Sequence, residues 1–529
     1  MTQPKPIDIG NRKQLLFDDL FFASRQGITL NLNPPVDAGE ALHADRPWEN
    51  QGIISFCDLV PDPHAGHIKL YYLAMEKLPE DPARKHNVRH RLCCAVSPDG
   101  DRWEKPDLGV CEFEGSTDNN IVMTDEIGGP RHGFHEPGKV VIDENDGPER
   151  RYKMLYMGTP HGIFGAFSAD GFNWTVGNDG NPVSEAVSDS QNVVLWDDRL
   201  NKWVGYFRLW APTRCICRVE TDDFWSWPFL EPKDVVLAAD ELDARNGAVN
   251  GPSFISGERI DNQINGRRYD PDDDPEDFIW CTDNPEHLNG VDFYNQPVTR
   301  YPWADRAYLL PFSVLCHAPN LEEVQLAVSR DGIHWERPGD RQAWIRPPID
   351  EHAGYIYCGP GIHRHGHWLD HYYVRMAAWH GSGKPGTYET IQFPPYCGSI
   401  HRARLRLDGY ISADAGNGGG TFVTPPLVFQ GCRLELNVDT GATGSVAVGL
   451  APTEIEGPAW VPQDVKHTVD ACDPIVCNST KRVVTWNGND DISALAGQPV
   501  RMHVQMQNAK LFAFQFMDGE NMGSETATA

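Results

Sequence analysis

The sequence predicts an all-β fold: a five-bladed β-propeller over residues 1–405, a β-sandwich over residues 406–517 and a disordered tail over 518–529. Three observations predict it. The pattern Ser-x-Asp-Gly-x-x-Trp occurs three times, at Ser97/Asp99/Gly100/Trp103, Ser168/Asp170/Gly171/Trp174 and Ser329/Asp331/Gly332/Trp335, and such recurrence marks a repeat architecture. The texture changes near residue 406 to short strands parted by Gly, Asn and Asp, without the tryptophan turn. Helix-period patterns are almost absent along the whole chain.

Each unit explains itself locally. Two short apolar or alternating runs, such as "HIKLYYLAM" and "HRLCCAVS", precede the turn, and "WEKP" or "WERP" then opens a strand that proline soon ends. That is a four-stranded antiparallel meander, the blade of a propeller. Within the turn, glycine supplies a positive φ, aspartate caps backbone N–H groups and tryptophan packs between blades. A worn copy, "ETDDFWSWP", centred on Asp222 and Trp225, fills the gap before the third copy, and "YIYCGPGIHRHGHWLDHYYVRMAAW" with "SIHRARLRLDGYISAD" makes a last meander reaching residue 414. The count is five, with room for a sixth. Residues 258–277, "ERIDNQINGRRYDPDDDPED", read as a long polar surface loop. Beyond 406, "GTFVTPPLVF", "CRLELNVDT", "GSVAVGLA", "KRVVTWNG", "VRMHVQMQ" and "KLFAFQF" read as sandwich strands.

Composition narrows the partners. A formal net charge of −29 repels nucleic acid and anionic membranes and leaves a neutral partner. No apolar run is long enough for a transmembrane helix, and the start "MTQPKPIDIGNRKQLLFDDLFF" has no secretory pattern. The 13 cysteines form no Cys-x-x-Cys pair, and reduced thiols in a cytoplasm are the expectation. No cofactor or metal is implied. The "HRHGH" histidines, His363, His365 and His367, suit a solvated hairpin, and the sequon at Asn478 carries no weight without a secretory route. Oligomeric state is left open.

The tryptophan turns resemble the Asp-box of sialidases, shortened by one residue between Asp and Gly. A propeller followed by a sandwich resembles the glycoside hydrolases that cleave sucrose, fructans and arabinans. More closely, the chain is similar to bacterial proteins described as glycosyl hydrolase family 32-like, through "LLFDDLFF", "DRPWE", "SDSQNVVLWD", "DFYNQPVTRY", "LAVSRDGIHWERP" and "DGYISADAGNGGGTFVTPPL". The Trp-x-Asn-Asp-Pro-Asn, Arg-Asp-Pro and Glu-Cys segments of true fructan-cleaving enzymes are not intact here. "DRPWENQG" stands in the first place, and "HEPG", with Glu136, stands where Arg-Asp-Pro would be. The resemblance implies a carbohydrate-active propeller and does not imply fructan specificity.

Loops leading into the innermost strands line one mouth of a propeller, so acids just upstream of those strands are the candidates. They are Asp45 and Glu49 before "GIISFCDLV", Glu136 before "KVVID", Asp189 before "NVVLWD", Asp292 in "DFYNQPVTRY" and Glu351 before "YIYCG". Glycoside hydrolysis needs such a pair, one acid for the leaving oxygen and one carboxylate for the anomeric carbon or for water. Glu136 and Asp189 are assigned as that pair, with Asp45 as a third carboxylate. Trp48 and Tyr294 can stack on a sugar ring; Arg46, His135, Arg300, His317 and His380 can bond its hydroxyls, and Glu49, Asp292 and Glu351 complete the substrate-binding set. Each of these acids is equally compatible with a turn, and His135 with a turn beside Pro137. Asp99, Asp170 and Asp331 belong to the turns. The expected activity is hydrolysis of a neutral oligosaccharide or glycoside. The alternatives are a glycoside phosphorylase, using Arg46, His135, Arg300 and His317 for phosphate, and a non-catalytic carbohydrate-binding propeller.

Overall fold

A computed structural model of the chain describes residues 5–79, 88–124, 126–127, 133–159, 162–210, 214–240, 242–243, 291–316, 321–347, 355–376, 394–452 and 466–518. Among these residues the regular structure is dominated by strands, arranged in seven sheets. Five sheets are blades. Blade 1 runs Gly52–Asp62, His67–Lys77, Val88–Ser97 and Ile121–Thr124; blade 2 runs Gly133–Ile142, Tyr152–Thr159, Gly162–Ser168 and Trp174–Val176. Blade 3 runs Val193–Asp197, Lys202–Trp210, Arg214–Thr221 and Val235–Leu237, and the main path of blade 4 runs Val291–Phe293, Tyr308–Cys316, Leu321–Ser329 and Trp335–Glu336. Blade 5 takes Ile356–Cys358, Trp368–Arg375 and Ser399–Arg406 from the end of the propeller, and its outermost strand, Val36–His43, from the start of the chain. The two ends of the propeller thus meet within one sheet.

Contacts between the inner edges of the blades form a closed circle. Asp58 of blade 1 accepts from Val140 N of blade 2 at 2.6 Å, and Lys139 N donates to Asn192 O of blade 3 at 2.9 Å. Gln296 of blade 4 donates to Gln191 O of blade 3 at 3.1 Å, and Asn295 to Cys358 O of blade 5 at 2.9 Å. Leu59 N of blade 1 then donates to Pro360 O of blade 5 at 3.2 Å. The last seam is tight enough to require glycine: a Cβ on Gly361, whose φ is +90°, would lie 2.1 Å from Leu59 O.

The three tryptophan turns share one geometry. The serine Oγ accepts from the glycine N–H at 2.8 Å (Gly100), 2.9 Å (Gly171) and 2.9 Å (Gly332), and each aspartate accepts two further backbone N–H bonds. The glycine carbonyl then receives a tyrosine hydroxyl from the preceding blade: Tyr71 to Gly171 at 2.9 Å, Tyr206 to Gly332 at 2.8 Å and Tyr372 to Gly100 at 2.5 Å. Trp103, Trp174 and Trp335 stand edge-on to those same tyrosines. The worn copy lies one residue later than its sequence suggests, with Thr221, Asp223 and Trp227 in the motif positions and Phe224 where glycine belongs. The preceding blade correspondingly carries Leu155 in the register position of the tyrosine, and Leu155 and Phe224 share one apolar cluster. A polar lock has been exchanged for an apolar one.

The remaining two sheets, six strands each, form the sandwich, around a core that includes Phe429 stacked on Phe516 at 3.9 Å. The assignment of everything before residue 405 to the propeller needs correction. Ile7–Gly10, Gln14–Leu15, Ser24–Gln26 and Ile28–Leu32 all pair with sandwich strands. The strand Ile411–Ala415, read as the end of the last meander, also belongs to the sandwich. Short strands at the head of the chain, with partners some 400 residues away, leave no local signal of where they pair. Leu15, Phe17, Ile411 and Ala513 share a buried cluster with Tyr301, Leu309, Trp344 and Leu405, so sandwich and propeller have a common core. Asp408 ties them further, accepting from Tyr301 at 2.6 Å, Lys13 at 2.9 Å and Asn437 at 3.0 Å. The loop read over 258–277 lies outside the described residues, as does nearly all of the tail.

The blade lock can be measured. Tyr206→Phe removes the buried hydrogen bond to Gly332 and the hydroxyl's interaction with Arg218, and should cost about 1–2 kcal/mol of unfolding free energy. Gly332→Ala puts a Cβ 2.4 Å from the Tyr206 hydroxyl at a φ of +75°, and should cost about 1–3 kcal/mol. Because removing the hydroxyl also removes the clash, the double variant should be less destabilised than the sum, in denaturant unfolding. Strict additivity would contradict the lock.

Candidate active site

The blades' first strands all enter from one mouth of the channel. In an antiparallel meander the groups at that mouth therefore come from the start of the first strand, the end of the second and the start of the third. Six charged or phenolic side chains from blades 2 to 4 converge there: Glu136, Asp189, Arg208, Arg214, Asp292 and Tyr294, with Glu322 of blade 4 and Tyr357 of blade 5 behind them.

Glu136 sits on the strand Gly133–Ile142 at a bulge, where the pairing register shifts between Phe134 and Glu136. Bulges of this kind re-aim a side chain at a strand's end. Asp189 precedes its strand in "SDSQN", a non-strand segment held by its own polar web. Ser188 Oγ donates to Asn192 Oδ1 at 2.7 Å and accepts from Arg208 N at 3.1 Å. Gln191 reaches across the channel to Cys57 O at 2.9 Å. The segment is buried throughout, which fixes the aspartate between its neighbours.

The Arg208 guanidinium is 3.2 Å from Asp189 and lies 4.2 Å from the centre of the Tyr294 ring. Arg214 takes Asp292 in the same way, by a backbone bond of 3.0 Å and a guanidinium contact, and stands 5.1 Å from the centre of the same ring. Among the described residues Glu136 has no guanidinium of its own. Burial, and next the charge of Asp189, push its carboxyl up to about 8, against the pull of Arg208. Its side chain is 17% exposed, so it is reachable from the mouth. A protonated acid beside an arginine-held carboxylate is the pairing that bond cleavage by proton donation requires. His135 adjoins Glu136 at 3.9 Å and stacks edge-on to His90 of blade 1 at 4.4 Å. Tyr294, Tyr355 and Tyr357 make a connected aromatic wall, with ring centres 5.2 Å and 5.0 Å apart.

Other candidates stand elsewhere. Asp45 is bonded to Lys105 at 2.6 Å and neighbours Arg46 at 3.6 Å. Burial raises its carboxyl, but Lys105 and Arg46 outweigh this and hold it below the usual range. Glu49 is fully buried and taken up by the Tyr72 hydroxyl at 2.6 Å, Lys105 at 2.7 Å and the N–H groups of Asp45 and Arg46. Trp48 is buried, bonding Asn120 at 3.0 Å and packing on Phe113, so its faces are not offered to a sugar. These four brace blade 1, and the cluster is built without them. Arg300 pairs with Asp198, in the turn after the first strand of blade 3, at the opposite end from the mouth. His317, Glu351 and His380 lie outside the described residues.

Arg208, Arg214, Glu322 and Tyr357 were not singled out from sequence. Arg208, Arg214 and Glu322 lie on second and third strands, away from the segments that lead into first strands, and Tyr357 lies within an apolar first strand. The usable signal was an ionic residue inside an apolar strand, as in "YFRLW" and "LEEVQLAV". Deeper in the channel, burial raises Asp58 to about 7 and lowers Lys139. Among the described residues no group of three or more His, Cys, Asp or Glu could hold a metal, and no helix is long and apolar enough to cross a membrane.

No protein-family model and no curated protein matches the chain. Solved structures do. An N-acetylgalactosamine deacetylase from F. plautii is similar at a TM-score of 0.39 and 13% identity, over 72% of this chain and 96% of that one. A putative glycoside hydrolase from Parabacteroides distasonis gives 0.36 and 11%, over 71% and 96%. An exo-inulinase from Aspergillus awamori gives 0.36 and 12%, over 90% and 99%. At this level of similarity none of them assigns a reaction, and the chemistry has to come from the residues.

The raised Glu136 has a consequence that needs no substrate. Folded, it keeps its proton up to about pH 8, whereas an ordinary glutamate loses it near 4.5. Its contribution to stability is therefore complete below the unfolded value and is lost as pH rises through the folded one. Glu136→Gln should flatten the fall in Tm between about pH 5 and about pH 9. Parallel Tm profiles for the two proteins would show that Glu136 titrates normally.

Proposed function

We propose that the chain is a glycoside hydrolase acting on a neutral sugar at the propeller mouth. Glu136 is the general acid that protonates the leaving oxygen, and Asp189 is the carboxylate that attacks the anomeric carbon or activates water. The observation that carries this reading is the enclosed Glu136, held protonated next to an Asp189 that Arg208 keeps in place. Arg208 orients Asp189, and its positive charge steadies the carboxylate that Glu136 becomes once its proton is given. The tyrosine wall is packed behind the two arginines and stiffens the site.

Charge balance supports the neutral substrate. Among the described residues, each guanidinium at the mouth already has an aspartate, Arg208 with Asp189 and Arg214 with Asp292. A phosphate or a charged sugar would have to compete with those carboxylates inside a buried site. Arg46 and Arg300, two of the cations that phosphorolysis would use, are committed to other parts of the fold. Hydrolysis is accordingly favoured over phosphorolysis, and the paired acids over a purely binding role.

The test starts from a panel of chromogenic glycosides and neutral oligosaccharides, each with and without inorganic phosphate. The expected product is the free sugar in both conditions; a sugar 1-phosphate appearing only with phosphate would make the protein a phosphorylase. On the cleaved substrate, Glu136→Gln and Asp189→Asn should each lower kcat/KM on the order of 10³-fold. Activity should be lost as pH rises through about 8, where Glu136 surrenders its proton. Turnover within about tenfold of the parent in both folded variants would place the reaction elsewhere.

A further inference from the structure

Glu322 repeats the situation of Glu136 on a third strand rather than a first, and more fully buried. At the start of the third strand of blade 4 it is fully buried, and neither carboxyl oxygen makes a hydrogen bond of ordinary length among the described residues. Asp292 and Glu322 pair with the two sides of Leu315 and so leave the same face of blade 4. Glu322 is acted on by Arg208, Arg214, Asp292 and Tyr357 and itself acts on Tyr294 and Tyr355. The parallel is close: Glu136 is raised further by Asp189, which Arg208 holds, and Glu322 by Asp292, which Arg214 holds. Tyr294 lies against both guanidiniums.

Two guanidiniums against one ring repel each other, and each is steadied by one aspartate. An ionised carboxylate facing both would compete for both, and an ion buried without partners is costly in its own right. Burial holds Glu322 well above the usual carboxylate range, and Asp292 adds to this. The Tyr357 hydroxyl, Arg208 and Arg214 pull the other way. We propose that Glu322 is a positioning residue: as a neutral acid it leaves Arg208 to Asp189 and Arg214 to Asp292, and losing its proton draws Arg208 away and disarms the site. It contacts no substrate and acts through the two arginines. The inference rests on the proposed glycosidase reading for its kinetic consequence, but not for the neutral state itself.

Two measurements test it. The first is the high-pH side of the kcat/KM profile, on protein shown by circular dichroism to be folded at each pH. In the parent, the loss should begin with one proton, from Glu136, and steepen toward two as Glu322 ionises. In Glu322→Gln it should stay at one proton over the same range. The same limiting slope in both proteins overturns the proposal, as does loss of activity at all pH values in the glutamine variant, which mimics the neutral acid. The second measurement needs no substrate. The infrared band of protonated carboxyl groups at neutral pH should lose intensity in Glu322→Gln relative to the parent, and an unchanged band overturns the proposal whatever the kinetics show. If no glycoside is cleaved, the proposed function fails, and the infrared comparison still decides the state of Glu322.

Discussion

One guanidinium organises the mouth of this propeller. Arg208 pairs with Asp189 and lies against Tyr294, while its charge acts on both Glu136 and Glu322. It is buried, and so cannot be relieved by water. A buried cation must be compensated locally, and a buried anion likewise. The acids around it differ accordingly: Asp189 is in contact with its guanidinium, whereas burial raises Glu136 and Glu322 against its pull. The separate roles proposed for Glu136 and Asp189 rest on that difference, since both are carboxyl groups in the same enclosed space.

The fold makes such crowding stable. Each blade presents its strand ends to the mouth, and adjacent blades are tied by backbone and side-chain bonds that leave no gap in the circle. Tyrosine-to-glycine bonds repeat at three of the seams, and the outer strand of blade 5 comes from the head of the chain. The bonds between blades hold these carboxyls in a mostly enclosed space, which is what shifts their proton affinities. The sandwich adds to this rigidity by sharing a core with blades 4 and 5.

Much of this was legible in the sequence. The three tryptophan turns announced the blades, because their geometry is local and uses residues whose roles are nearly unambiguous. Glu136 and Asp189 could be placed at one mouth because both lie where first strands begin, and the structure brings them together. Asp45 and Glu49 occupied an analogous sequence position but fold onto Lys105, a partner 60 and 56 residues away that no local pattern reveals. The strands before residue 33 pair with the far end of the chain, which periodicity cannot show. Arg208, Arg214 and Glu322 were hidden for a different reason. Strand register alone decides whether a charged residue on a second or third strand reaches the mouth or the surface.

The most direct measurement is the titration of the Glu136 carboxyl itself, in protein labelled with carboxyl-13C glutamate. The resonance is assigned by its absence in Glu136→Gln. A midpoint near pH 8, well above the 4.5 of an ordinary glutamate, is the predicted result. A midpoint in the ordinary carboxylate range would mean that Glu136 is ionised at neutral pH and cannot serve as the acid.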